Sequence, residues 1–77
     1  MTINEWKDIF GDNLVCLLRE RRMTQTELAI DSGLSPSMIS DYIKKRSVPG
    51  LPAVINIAYA LDLPIDELVD FEEPIDF

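Results

Sequence analysis

The chain holds 77 residues, 47% of them hydrophobic, with a formal net charge of −7, one Cys and no His. A chain this short is a single domain that buries only about 60% of the surface it exposes when unfolded, and its apolar share excludes a disordered polymer. One Cys without His excludes an internal disulfide and an ordinary metal site, and points to a reducing, cytoplasmic setting.

Charges in the opening MTINEWKDIFGDN stand where a signal peptide needs an apolar core. No apolar run approaches the roughly 20 residues of a membrane span, so no membrane role is expected. The acidity is uneven. Six of the seven bases (Arg19, Arg21, Arg22, Lys44, Lys45, Arg46) lie between positions 19 and 46 beside four acids, a local balance of +2. From Asp62 to Phe77 there are seven acids and no base. A locally basic module with an acidic end is the better description.

Ile3, Trp6, Phe10, Leu14, Leu17 and Leu18 recur at spacings of three and four, the stripe of one helical face. Gly11-Asp12 are poor helix formers, so the segment is either one helix or a short helix abutting a second. Its end near Arg22 is basic (RERR), which suits the negative pole of a helix dipole. Those arginines read equally as a solvated helix end or as phosphate contacts. Cys16 lies about 200° around the helix from Leu14, off the stripe, and reads as a small packing residue rather than a nucleophile.

The stretch TQTELAIDSGLSPSMISDYIKK carries the densest punctuation. Thr24 with Glu27 makes a capping box, and Met23 with Leu28 a hydrophobic staple. Gly33 supplies the left-handed residue that ends a helix. Ser35 caps the next helix, Pro36 takes its first position, and Leu34 with Ile39 repeats the staple. Leu28, Ala29, Ile39 and Tyr42 point inward; Ser37, Met38, Ser40, Asp41 and Lys44 are left facing away from the core. Helix, Gly-containing turn, helix is the layout of a DNA-binding helix-turn-helix.

KKRSVPG is a loop broken by Pro49-Gly50. A fourth helix is expected from about Leu51 to Leu61, with Val54, Ile55, Ala58 and Leu61 buried and Pro52 tolerated in its first turn. Ile65–Val69 reads as a short fifth helix after Pro64. The tail DFEEPIDF reads as mobile, with Phe71, Ile75 and Phe77 as isolated apolar residues able to dock on a partner subunit. The expectation is an all-α, compact bundle of about five helices, a domain at 1–69 and an acidic tail at 70–77.

These residues resemble the lambda-repressor-like domains of bacterial and phage regulators, the Cro/C1 or xenobiotic-response-element type. The likeness runs through Phe10-Gly11, Leu14…Leu18-Arg19, Met23-Thr24-Gln25…Glu27-Leu28-Ala29, Gly33-Leu34-Ser35 and Ile39-Ser40…Tyr42. It continues through Pro49…Leu51, Ile57-Ala58…Ala60-Leu61 and Ile65-Asp66-Glu67-Leu68, covering positions 10 to 69. The resemblance implies a five-helix bundle that binds a pseudo-palindromic DNA operator as a homodimer and catalyses nothing.

By the same resemblance, Gln25, Ser35, Lys44, Lys45 and Arg46 contact phosphates, while Pro36, Ser37, Met38, Ser40 and Asp41 face the base edges. Phosphate contacts fix position and base contacts specify sequence. Pro36 and Asp41 stand where the family often has Arg, Gln or Lys, and Ile43 where it commonly has a Glu paired with the arginine matching Arg19. With Ser37 and Met38 as leading readers, recognition leans on thymine methyls and DNA shape.

The function these features favour is a sequence-specific regulator of transcription, of repressor type, acting by occupancy. The competing reading is a protein-interaction module on the same scaffold that does not bind DNA, motivated by the −7 charge, Asp41, an exposed Ile43 and the acidic end. An enzyme is not expected, since no Gly-rich phosphate loop or paired carboxylates are present; no cofactor and no small-molecule ligand are expected either.

Overall fold

A computed structural model describes residues 1–69 and 74–76. Helix α1 (Ile3–Arg21) starts on Thr2, whose hydroxyl accepts the Glu5 N–H at 3.1 Å, and runs unbroken through Gly11-Asp12. Helix α2 (Gln25–Ser32) opens on the full capping box: Thr24 accepts the Glu27 N–H at 3.1 Å, and the Glu27 carboxylate accepts the Thr24 N–H at 3.2 Å. Helices α3 (Pro36–Ile43), α4 (Leu51–Ala60) and α5 (Ile65–Val69) follow. Among the described residues the only extended pairing is a single parallel bridge between Thr2 and Asp76.

Each helix sends at least one side chain into a shared core. Phe10, Leu14, Leu28, Ile39, Ile57 and Leu68 are fully buried. Phe10 stacks at 5.4 Å on Trp6 and meets Tyr42 edge-to-face at 6.2 Å, tying the middle of α1 to the end of α3. Ala29 is buried on α2, and its small side chain lets α2 pack close to its neighbours. The Ser32 hydroxyl, buried on the same face, donates to the Leu28 carbonyl at 2.7 Å and so leaves no unsatisfied donor.

Two apolar residues expected inside lie outside. Ile3 and Ile55 are both exposed, and Ala53 and Ile57 take the inward places on α4. Helix α4 is apolar on nearly every face, so Val54, Ala58 and Leu61 fit a stripe with either partner and spacing alone cannot choose. Ile43 is half-buried against the core rather than exposed. Cys16 is exposed, as its angle on α1 predicts.

Part of the tail expected to be mobile is tied down. The Met1 ammonium donates to the Pro74 carbonyl at 3.2 Å and lies 3.5 Å from the Asp76 carboxylate. The Asp76 N–H donates to the Met1 carbonyl at 2.7 Å, and Ile75 packs against the core. Phe71 and Phe77 lie outside the described residues.

The turns use left-handed residues. After α2 this is Gly33, at φ 70°; elsewhere the place falls to Arg22 at 52°, Lys45 at 63° and Asp62 at 54°. Gly33 closes α2 with its N–H on the Ile30 carbonyl while Leu34 bonds back to Ala29. A Cβ on Gly33 would meet no atom within 4 Å, so only backbone strain opposes a side chain there. Gly33→Ala is expected to cost about 1 kcal/mol, and about 4–8 °C in melting temperature, with Gly33→Asn milder. Thermal denaturation followed by circular dichroism checks this; an unchanged midpoint would mean the turn is not held in that conformation.

Candidate nucleic-acid interface

Helix α3 is anchored by Ile39 and Tyr42, both buried, which leaves its other face free of core duty. Ser35 fixes its start by accepting the Met38 N–H at 3.1 Å, and the Ser35 hydroxyl proton remains available to an outside acceptor. Pro36, Ser37, Met38 and Lys44 are exposed, and Ser40 and Asp41 half-buried, so the expected base-facing set lies on one outward surface.

A groove of about 370 Å³ runs between this surface and the start of α2. Gln25 and Thr26 line one wall, Pro36, Ser37, Ser40 and Asp41 the other, with Arg46 at the end. Hydroxyls, an amide and a guanidinium are hydrogen-bonding groups of the kind that contact a phosphate strand and the adjacent base edges. Thr26 joins the groove without having been expected there. It follows Gln25 on the exposed first turn of α2, a position that helical spacing alone marks only as solvated.

Asp41 is not an isolated carboxylate. The Arg46 guanidinium lies 3.7 Å from it, and the Arg46 N–H donates to the Asp41 carbonyl at 2.8 Å. The turn after α3 thus folds a cation back beside the one acid on the outward face. Burial pushes the Tyr42 hydroxyl above its ordinary range, with the neighbouring charge of Asp41 adding to it.

Lys45 departs from the rest of its group. Its ammonium lies 2.9 Å from the Asp12 carboxylate on α1, whose hydrogen bond and charge raise the Lys45 pKa. Directly beneath, Gly11 lets α3 approach: a Cβ there would stand 2.7 Å from the Tyr42 carbonyl oxygen and 3.2 Å from the Lys45 Cγ. The Gly11-Asp12 pair is therefore the seat on which the end of α3 rests. A glycine inside a strong helical stripe is the sequence signal for such close approach.

No helix of the described residues is long and apolar enough to cross a membrane, and no group of acids and Cys among them is arranged to hold a metal ion. No curated protein matches the chain. The family model for the helix-turn-helix matches residues 17–68, which includes every residue of α2, α3 and α4 and the groove between the first two. With its capped helix pair, left-handed Gly33 turn and outward-facing α3 all inside that match, the chain belongs to the Cro/C1-type helix-turn-helix family of DNA-binding regulators.

Proposed function

We propose that the chain is a sequence-specific transcriptional regulator of repressor type that lays α3 in the major groove. The observation that carries this reading is the outward face of α3, exposed at Pro36, Ser37 and Met38 and flanked by the groove that Gln25, Ser40 and Arg46 share. Ser37 and Met38 read base edges, Met38 by contact with thymine methyls, and Ser40 contributes a hydroxyl. Gln25, Ser35, Lys44 and Arg46 hold phosphates. The regulator acts as a homodimer whose two copies assemble on a pseudo-palindromic operator with half-sites about 34 Å apart. Occupancy of that operator is the mechanism.

A second reading, a protein-interaction module, is favoured by one observation. Leu51, Ile55 and Tyr59 form an exposed stripe along α4, and no charged residue occurs in that helix. Selection from a random duplex library at physiological salt separates the two. The regulator enriches a two-fold symmetric site; the interaction module enriches nothing.

The charge geometry gives a finer test. Each phosphate contact contributes about 0.9 to the slope of log affinity against log salt. Lys44→Ala and Arg46→Ala should each flatten that slope by about one unit, similarly on all sequences. Lys45→Ala should flatten it clearly less, because Asp12 already holds its ammonium. Equal slopes for the three variants would mean that Lys45 leaves Asp12 for the duplex.

A further inference from the structure

A second groove, of about 400 Å³, opens where the end of α1 meets the start of α2 and the end of α3. Leu18, Met23 and Ile43 line it with apolar surface, and Arg19 and Arg22 stand beside them. Both arginines are exposed, and among the described residues no carboxylate is paired with either. A sugar–phosphate strand has use for the guanidinium groups but none for the apolar surface. A protein surface carrying acids around large apolar side chains has use for both.

The chain itself carries such a surface. Tyr59, 86% exposed, and Ile65, 40% exposed, are joined by Asp62, Asp66 and Glu67, all exposed and, among the described residues, in no ion pair. One molecule does not bring the two together. Helix α5 is hung on α1 where the Asn13 side chain donates to the Leu68 carbonyl at 3.3 Å. At the helical rise per residue, Arg22 stands about 13 Å further along α1 from Asn13.

We propose that the Arg19/Arg22 groove is the docking site for the acidic Tyr59–Glu67 surface of a second copy of this chain. The assignment rests on charge complementarity between two faces whose charges are unpaired among the described residues, each bearing exposed or half-buried apolar side chains. The contact is head-to-tail, so each docked pair leaves one groove and one acidic face open to further copies. The net charge of −7 opposes association, but at about 0.1 M salt the Debye length is about 10 Å. That is short against the 33 Å long axis, so distant charges are screened while touching pairs are not. Gln25 lines both grooves, so a docked copy overlaps the expected DNA footprint and makes self-association a brake on operator binding. That consequence alone rests on the DNA reading.

Sedimentation velocity of the full chain without nucleic acid tests the contact at about 0.1 M and about 1 M salt. At the lower salt the weight-average mass should rise about twofold or more with concentration, and at the higher salt return to the monomer. R19E/R22E and D66K/E67K should each stay monomeric alone, and an equimolar mixture should associate again, because each then presents the charge the other lacks. The restored mixture also shows that both variants fold. Association that resists salt, survives in either variant alone, or fails to return on mixing would overturn the proposal. So would a monomeric parent chain whose R19E/R22E variant loses affinity for a random duplex, which would assign the groove to nucleic acid.

Discussion

Gly11→Val is expected to lower the melting temperature by about 10–20 °C, through an overpacking cost of about 2–3 kcal/mol. The added Cβ would stand 2.7 Å from the Tyr42 carbonyl oxygen, a backbone atom at the end of α3 that also accepts the Lys45 N–H at 3.2 Å. Relief requires α3 to move away from α1, which pulls Tyr42 from its edge-to-face contact with Phe10 and Lys45 from Asp12. Gly11→Ala sharpens the test because two effects oppose. Helix propensity favours alanine by about 1 kcal/mol at an interior site. The clash opposes it by about 1–3 kcal/mol, and because the Tyr42 oxygen it meets is a backbone atom the clash should win. Thermal melts of both variants decide the sign. A stabilised Gly11→Ala would show that the end of α3 gives way freely.

Ser37→Glu should reduce affinity for the selected operator about 100-fold or more while leaving the fold as stable as before or more so. Ser37 is the second residue of α3, and the first turn of that helix holds no acid. A carboxylate there interacts favourably with the positive end of the helix dipole, by about 0.3–1 kcal/mol. Against a duplex the same carboxylate meets phosphates and acceptor-rich base edges. Leaving it desolvated and unpaired costs about 3 kcal/mol or more, and each 1.4 kcal/mol is a factor of about ten. Fluorescence anisotropy with the selected duplex, paired with a thermal melt, reads both quantities. Unchanged binding would remove α3 from the groove and put the duplex on another face of the protein.

What could be read from residues alone was the local chemistry. Thr24 with Glu27, Gly33 and Ser35-Pro36 each act within four residues of their own position, so caps and turn followed from spacing. Helix α5 came out at Ile65–Val69 because Pro64 marks its start. Placement on a uniformly apolar helix did not. Leu51, Ile55 and Tyr59 form one stripe of α4, and Val54, Ala58 and Leu61 another; only packing against the other helices shows which is inside.

Pairings across long separations were hidden for a different reason. Lys45 meets Asp12, and Asp76 meets the Met1 amine, through folding of the whole chain rather than through any repeat. The resemblance groups Lys45 with Lys44 and Arg46, although its ammonium turns toward Asp12. Gly11-Asp12 looked like an interruption because helix propensity counts only what a residue does for its own helix, not what it admits from another.

The left-handed corners at Arg22, Lys45 and Asp62 have a bearing on how this scaffold can be changed. A side chain in that conformation is less comfortable than glycine by about 1 kcal/mol, and all three corners carry a formal charge instead. Glycine at these corners therefore gives heat resistance headroom in the connections, although at Lys45 the same change also removes the ion pair with Asp12. Two of those three replacements would also strip a cation from an already anionic molecule, so hardening the scaffold and keeping its grip on a polyanion pull in opposite directions.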